Sequence, residues 1–152
     1  GPDPAPADYA GLPYLEAACL ESLRISPVLN IVPRRIIAPC RVGAWQLEPG
    51  MAAAVSVTEV HGSEDIYPEP EQFKPERFLE KKPGPHEFLA FGGGVRKCLG
   101  ANLAVYEMKI ILGAALRTYR FRSLSQAVPA RKLHGFVLLP GNRIPMVLEG
   151  KR

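Results

Sequence analysis

The pattern of apolar and polar positions predicts two helices, one in each half of the chain. In the first half, apolar residues recur at helical spacing over residues 12–25, and Pro27 ends the run. A second helix is predicted from residue 99 to near Arg120. The apolar residues on or near one face of this helix are Leu103, Met108, Ile111, Leu112, Ala115 and Leu116.

Short extended segments are predicted between and after the two helices. They cover residues 31–37, 45–47, 52–57, 136–139 and 144–148. The second and third of these segments flank Glu48-Pro49-Gly50, so they are predicted to form a hairpin. The last two lie on either side of Pro140-Gly141.

A proline-rich segment over residues 61–88 interrupts these patterns. Its prolines are Pro68, Pro70, Pro75, Pro83 and Pro85. Each proline lacks a backbone N–H donor and restricts the residue before it, so the segment is predicted to be a compact, irregular loop. An irregular loop of this length usually has a function of its own.

Length and composition are those of an ordinary globular domain. The 152 residues are 47% apolar and 22% charged, and such a chain can bury a core of its own. The net charge of +4 comes from dispersed basic residues without interleaved aromatic ones, which argues against nucleic-acid binding. No apolar run approaches the roughly 20 residues that span a bilayer, and the first residues do not resemble a signal peptide. A membrane anchor upstream of Gly1 stays compatible with the sequence.

The cysteines do not predict a disulfide framework. There are three, Cys19, Cys40 and Cys98, so their number is odd, and their spacing is irregular. This usage favours a reducing compartment. A zinc site formed by these cysteines with His61 is not predicted, because the chain has no C-x-x-C pair.

The decapeptide FGGGVRKCLG, residues 91–100, places a cysteine where a glycine turn leads into the second helix. Unsatisfied N–H groups and the positive end of the helix dipole favour the thiolate form of Cys98, which binds metals. Arg96 adds positive charge, and the glycines would let a flat cofactor approach the backbone. A lone cysteine is alternatively a small buried apolar residue. The spacing of the glycines and the lysine excludes a phosphate-binding loop.

This decapeptide resembles a family signature. The pattern Phe91-x-x-Gly94-x-Arg96-x-Cys98-x-Gly100 matches the haem-binding signature of cytochromes P450 at every fixed position. The resemblance implies a mainly α fold with small β-sheets, which is the cytochrome P450 fold. It also implies that residues 1–152 are only the C-terminal, haem-binding part of one such domain, without its distal part.

Two further segments are similar to landmarks of the same family and occur in the family's order. Glu21-x-x-Arg24 lies in the first helix, and Pro75-Glu76-Arg77-Phe78 lies in the proline-rich segment. By resemblance, Glu21, Arg24 and Arg77 form a buried triad that holds the helix to the loop. The alternative is a surface ion pair worth at most about 1 kcal/mol.

The resemblance implies roles for the residues that would contact haem b. Cys98 would be the axial ligand to the iron, and Arg96 would bind one propionate. Arg34, or its neighbour Arg35, would bind the other propionate. His61 is a third candidate for such a contact, and a structural or solvent role is the alternative for a lone histidine. Three residues of the signature would pack beside the sulfur or let the haem approach the backbone closely: Phe91, Gly94 and Gly100.

The implied activity is that of a haem-thiolate monooxygenase, which inserts one oxygen atom from O2 into a small organic substrate. Two electrons would come from a ferredoxin, a flavodoxin or a reductase that docks on Lys97, Lys109 and Arg117. Compact loops without long insertions point to a bacterial, cytoplasmic protein. The sequence holds no counterpart of the family's long oxygen-activating helix, so the isolated chain is expected to bind haem weakly and to be inactive alone.

Two other functions stay open at this point. The first is a non-catalytic haem-binding or haem-sensing module that reuses the cysteine loop. The second is a structural remnant that binds nothing, which exposed apolar surface on the two helices would support. Within the enzyme class, peroxide-driven oxidation also stays open.

Overall fold

The protein consists of helices with small, two-stranded β-sheets around them. The computed structural model describes residues 4–125 and 130–152. The helices are α1 (Pro6–Ala10), α2 (Pro13–Ile25), α3 (Val57–His61), α4 (Arg77–Glu80) and α5 (Ala101–Thr118). The strands are β1 (Ile31–Arg35), β2 (Cys40–Val42), β3 (Trp45–Leu47), β4 (Ala52–Ser56), β5 (Tyr119–Ser123), β6 (Arg131–His134), β7 (Val137–Pro140) and β8 (Met146–Lys151). Within the described residues the strands pair antiparallel, as β1–β4, β2–β3, β5–β8 and β6–β7.

Both predicted helices are confirmed. α2 has Pro13 in its first turn, where a missing N–H leaves no helical bond unmade, and it ends before Pro27. α5 begins after Gly100 and ends where the backbone of Tyr119 becomes extended. Within the described ranges, no helix has the combination of length and apolar character that crossing a bilayer requires.

The predicted hairpin between residues 45–47 and 52–57 is wrong. β3 pairs instead with β2, with Val42 opposite Trp45 across a two-residue turn. Gly43 is the first residue of this turn and has φ +58°, which glycine adopts without steric cost. β4 pairs with β1, so Glu48-Pro49-Gly50 connects two sheets. The Gly43-Ala44 pair is a weaker sequence signal for a turn than Pro49-Gly50. It is nevertheless the Gly43-Ala44 turn that determines how the strands pair.

The other sequence predictions differ from the structure mainly in pairing and at the ends of elements. Val57 is not part of a strand but begins α3, because Ser56 Oγ accepts a hydrogen bond from the Glu59 N–H at 3.2 Å and caps the helix. The proline-rich segment is irregular apart from the short α4. β7 and β8 overlap the predicted C-terminal strands, but they pair with β6 and β5, which the sequence pattern did not predict.

The interior contains polar side chains as well as apolar ones. Buried apolar side chains are Ala17, Cys19, Leu23, Val57, Tyr67, Leu89, Ala90 and Ala101, and buried polar ones are Glu21, Arg24, His61 and Lys109. In the part of the chain that the structure describes, every buried side-chain nitrogen and oxygen has a hydrogen-bond partner. A buried charge is tolerated only when it is paired and hydrogen-bonded, so Glu21, Arg24 and Lys109 constrain the fold strongly.

α1 packs against α5 at a glycine. An ideal Cβ built on Gly113 would lie 2.4 Å from Cδ1 and 2.9 Å from Cγ of Tyr9. Real side chains do not approach this closely, so the ring of Tyr9 occupies the space that a side chain at position 113 would need. Close packing therefore explains a glycine in the interior of α5, where its helix propensity is poor.

Gly113→Ala should destabilise the protein although alanine favours helix. The gain in propensity is about 1 kcal/mol, whereas overpacking against Tyr9 costs about 1–3 kcal/mol, so a net loss of roughly 1 kcal/mol is expected. Urea denaturation of both single variants and of Tyr9→Ala/Gly113→Ala measures the coupling. In the Tyr9→Ala background the same change should become stabilising. Stabilisation in both backgrounds would contradict the packing argument.

Candidate functional site

A buried carboxylate, that of Glu21 in α2, joins the helix to the proline-rich loop. The side chain is fully buried. Arg24 donates from Nε to Oε2 at 2.7 Å and from Nη2 to Oε1 at 2.8 Å. From the loop, Arg77 Nε and the Lys74 backbone N–H donate to Oε1 at 3.2 and 2.9 Å. The structure therefore brings Glu21, Arg24 and Arg77 together, with a backbone group as a further donor.

The remaining guanidinium donors bind backbone carbonyls. Arg24 donates to the carbonyl oxygens of His61, Pro70 and Gln72 at 2.8, 2.7 and 3.3 Å. Arg77 donates to another loop carbonyl at 3.1 Å. Arginine suits this role because it presents five donors in a fixed, planar fork. Two arginine side chains thus bind several backbone carbonyls of a segment that has little regular structure.

Ionisation of Glu21 is favoured by its partners. Burial alone would raise the pKa of this carboxyl, but the hydrogen bonds from Arg24 and the Lys74 N–H, with the charges of Arg24 and Arg77, outweigh burial and lower it. The network is therefore charged at neutral pH, and its stabilising effect is lost as the pH falls through the lowered pKa.

Tyr67 lies under both arginines, and the sequence analysis did not identify it. Its ring centroid is 5.0 Å from Arg24 Cζ and 5.9 Å from Arg77 Cζ, which is the geometry of a cation–π contact. Its hydroxyl donates to the Glu87 carbonyl at 3.0 Å. Burial raises the pKa of Tyr67 to about 12, so the hydroxyl stays a donor. Its place one residue before Pro68 was the available signal, and it is a weak one.

Both ring nitrogens of His61 are hydrogen-bonded to the backbone. The side chain is 2% exposed, Nδ1 lies 3.0 Å from the Arg24 carbonyl oxygen, and Nε2 accepts from the Leu89 N–H at 2.8 Å. Burial lowers its pKa to about 4, despite the hydrogen bond to Arg24, so the ring is neutral at pH 7. The prediction that His61 binds a propionate is therefore wrong, because both ring nitrogens are used by the backbone.

The cysteine loop, residues 91–100, is closed by a backbone hydrogen bond from the Cys98 N–H to the Phe91 carbonyl at 2.9 Å. Gly94 has φ +65°, and no atom lies within 4 Å of where its Cβ would be, so one side of the loop is open. The Cys98 side chain is exposed, two residues before Gly100, which caps α5. Cys98 is therefore not a buried apolar residue.

The structure places the two arginines that were predicted to bind propionates in the loop and beside it. Arg96 is exposed, and across residues 4–125 and 130–152 its guanidinium has no hydrogen-bond or ionic partner. Arg34 lines a groove of about 440 Å³ that borders the loop at Gly93 and Gly94. Arg35 follows on β1 and does not line the groove, since neighbouring strand residues face opposite ways. Of the two adjacent arginines, Arg34 is the one that the geometry favours.

Phe91 and Lys109 lie on the other side of the loop, toward α2. The ring of Phe91 lines a cavity of about 350 Å³ with Leu20 and Tyr106, and its contact with the cysteine sulfur stays a prediction. Lys109 is buried, and its Nζ donates to Glu16 Oε2 at 2.6 Å and to a carbonyl of α1 at 2.9 Å. The prediction that Lys109 belongs to an exposed docking surface is therefore wrong. Its charge holds α5 to α1 and α2.

Comparison with known proteins assigns the family. Residues 3–146 match the cytochrome P450 family over nearly the whole chain. The chain belongs to the cytochrome P450 family. It is 32% identical over 142 residues to cytochrome P450 138 of Mycobacterium bovis, and 35% identical over 136 residues to cytochrome P450 135B1 of Mycobacterium tuberculosis.

A solved cytochrome P450 structure agrees with the fold. The cyanobacterial cytochrome P450 CYP120A1 with retinoic acid bound superposes with a TM-score of 0.85 at 25% identity, covering 97% of this chain and 35% of its own. The mainly α fold with small sheets is therefore a partial cytochrome P450 fold. The chain spans about a third of the length of the relatives that it matches, 32% and 29% for the two mycobacterial proteins.

Glu21→Gln should be strongly destabilising, because it leaves Arg24 and Arg77 without a counter-charge. Breaking a buried pair in this way costs about 3–5 kcal/mol. The matched control is Glu149→Gln, which breaks a surface pair with Arg122 whose side chains are 41% and 58% exposed, and should cost below about 1 kcal/mol. Urea denaturation at pH 7 measures both. The difference in the free energy of unfolding between wild type and Glu21→Gln should become smaller as the pH falls below the pKa of a free glutamate. Equal losses of unfolding free energy for the two variants would contradict the stabilising role of the network.

Proposed function

We propose that this chain is the C-terminal, haem-binding part of a cytochrome P450 monooxygenase, with Cys98 as the protein ligand to the iron of haem b. The observation that carries the proposal is the exposed thiol of Cys98 on a loop closed by its own N–H. An exposed thiol at the end of such a loop is accessible to a metal ion that approaches the loop. In the described part of the chain, no three His, Cys, Asp or Glu residues form a metal-binding group. A lone cysteinate is the axial ligand set expected for haem-thiolate iron.

The surroundings of Cys98 fit the remaining groups of a haem. The guanidinium of Arg96 has no partner in the described part of the chain, and that of Arg34, on the neighbouring groove, uses one nitrogen to donate to the Pro33 carbonyl. Both would have donors for the two propionates. The open side at Gly94 leaves room for a flat ring against the backbone. These contacts would orient the haem, and the network around Glu21 would keep the surrounding wall rigid.

The chain's residues would act by holding the sulfur and controlling its surroundings. A haem bound through a cysteinate activates dioxygen, because the thiolate favours cleavage of the O–O bond. Cys98 would supply that thiolate, and the hydrogen bond from its N–H to the Phe91 carbonyl fixes its backbone. Phe91 would limit water at the sulfur, and Arg96 would neutralise a propionate.

The substrate would be a small organic molecule that receives one oxygen atom from O2, and the two electrons would come from a ferredoxin, a flavodoxin or a reductase. Lys97 and Arg117 are exposed and could receive an acidic donor. The mycobacterial relatives support a bacterial origin, and we place the protein in the cytoplasm.

A structural remnant is the second candidate, favoured by the exposed apolar residues of α5. Leu103 and Ile111 are 59% and 66% exposed, which is unusual for an apolar helix face. A remnant would not need a haem ligand. Haem binding by the chain therefore separates the two candidates, and turnover separates an enzyme from a non-catalytic haem-binding module.

Cys98→Ser should abolish thiolate ligation. The reduced carbon-monoxide difference spectrum of the haem-reconstituted chain is expected to have the red-shifted Soret band of a thiolate complex, and this band should be absent in the variant. Cys40→Ser, at the other exposed cysteine, is the matched control and should keep the band. A band that survives in Cys98→Ser would contradict the assignment, whatever Cys40→Ser shows.

Arg34→Gln should weaken haem binding more than Arg35→Gln does. Only Arg34 lines the groove beside the loop, and a charge-assisted hydrogen bond is worth about 1.5–3 kcal/mol, or roughly ten- to hundredfold in Kd. Titration with haem, followed by quenching of the fluorescence of Trp45, measures both affinities. Equal losses, or a larger loss for Arg35→Gln, would show that Arg34 is not the propionate partner.

A further inference from the structure

His61 makes two backbone hydrogen bonds to segments that are far apart in the sequence. Nε2 lies 2.8 Å from the Leu89 nitrogen, which can only donate, so Nε2 is the acceptor. Nδ1 must then carry the proton and donate to the Arg24 carbonyl oxygen at 3.0 Å. Only the neutral Nδ1–H tautomer makes both bonds.

The Leu89 end of this link lies at the start of the cysteine loop. The Leu89 carbonyl accepts from the Gly92 N–H at 2.9 Å, and Phe91, two residues after Leu89, accepts from the Cys98 N–H. The ring of His61 stacks on Phe88 with centroids 5.4 Å apart. The imidazole therefore connects the end of α2 to the backbone segment at which the cysteine loop begins.

We propose that His61 is a positioning residue for the haem ligand: its neutral ring couples the Glu21, Arg24 and Arg77 network to the cysteine loop and so keeps Cys98 in place. This inference rests on the proposed function, since it concerns the same ligand. It gives His61 a specific structural role in place of the propionate contact.

Protonation of the ring breaks the coupling. A proton on Nε2 would oppose the Leu89 N–H, so two donors would face each other in a buried site. The groups facing the ring are the cation Arg24, the carboxylate Glu21 and the edge of Tyr67, 6.1 Å away between centroids. Because the ring is neutral when folded, its contribution is complete above pH 6.5 and is lost as the pH falls toward about 4.

The first test needs no haem. In the full chain at pH 7, nitrogen NMR should find the His61 ring protonated at Nδ1 only, and a charged ring or the Nε2–H tautomer would overturn the proposal. Amide hydrogen exchange at Leu89 should be about tenfold faster in His61→Leu, which removes both bonds. His61→Gln should restore most of the protection, because its side-chain oxygen can accept from the Leu89 N–H. His134→Gln, at an exposed histidine, should match wild type.

The second test reads the ligand in the haem-loaded protein. The fraction of thiolate-ligated haem in the reduced carbon-monoxide spectrum should fall in His61→Leu, recover in His61→Gln, and depend less on pH between 6.5 and 4 in His61→Gln than in wild type. Val57→Ala, another fully buried residue, is the control for general destabilisation and should keep the thiolate fraction.

The outcomes separate the proposals. Wild-type exchange at Leu89 together with a wild-type thiolate fraction in His61→Leu would overturn the role of His61 and leave the assignment of Cys98 intact. Loss of the thiolate fraction to the same degree in Val57→Ala would also overturn it. A wild-type protein without any thiolate band would overturn the proposed function, whatever Leu89 exchange shows.

Discussion

The fully buried carboxylate of Glu21 accepts hydrogen bonds from Arg24, from the partly buried Arg77 and from the backbone of Lys74. A buried ion costs several kcal/mol unless its partners compensate fully, so the loop and α2 cannot separate without leaving charges unpaired. Hydrophobic packing alone would not impose this, because few apolar side chains are buried here. The position of the proline-rich loop therefore depends on electrostatic interactions. The cysteine loop and α5, which follow it in the chain, are placed by it in turn.

The cysteine loop is connected to this network in two directions. Toward the proline-rich side, His61 joins the Arg24 carbonyl to the Leu89 N–H. Toward the helical side, the ion pair of Lys109 with Glu16 holds α5, which continues from the loop, against α2. The thiol of Cys98 lies between these two anchors. The arrangement gives an exposed nucleophilic atom a fixed place, which is what a metal ligand needs.

The sequence predicted the two long helices and the Glu21, Arg24 and Arg77 network better than it predicted their surroundings. The apolar spacing in α2 and α5 is a short-range property of the sequence. The motifs around Glu21, Arg77 and Cys98 are short stretches of neighbouring residues, so both features can be found without a structure. The pairing of β3 with β2 could not, because it depends on whether Gly43-Ala44 or Pro49-Gly50 makes the tight turn. The sequence alone could not show that His61 and Lys109 are buried, because neither lies in a pattern that predicts burial. Only the fold shows that a backbone N–H, a carboxylate and two carbonyls surround them.

The most direct measurement of the central claim is the resonance Raman spectrum of the ferric, haem-loaded protein with natural sulfur and with sulfur-34. If Cys98 ligates the iron, an iron–sulfur stretching band is present, moves to lower frequency with the heavier isotope, and is absent in Cys98→Ser. A spectrum without an isotope-sensitive band, or one in which the band persists in Cys98→Ser, would contradict the account.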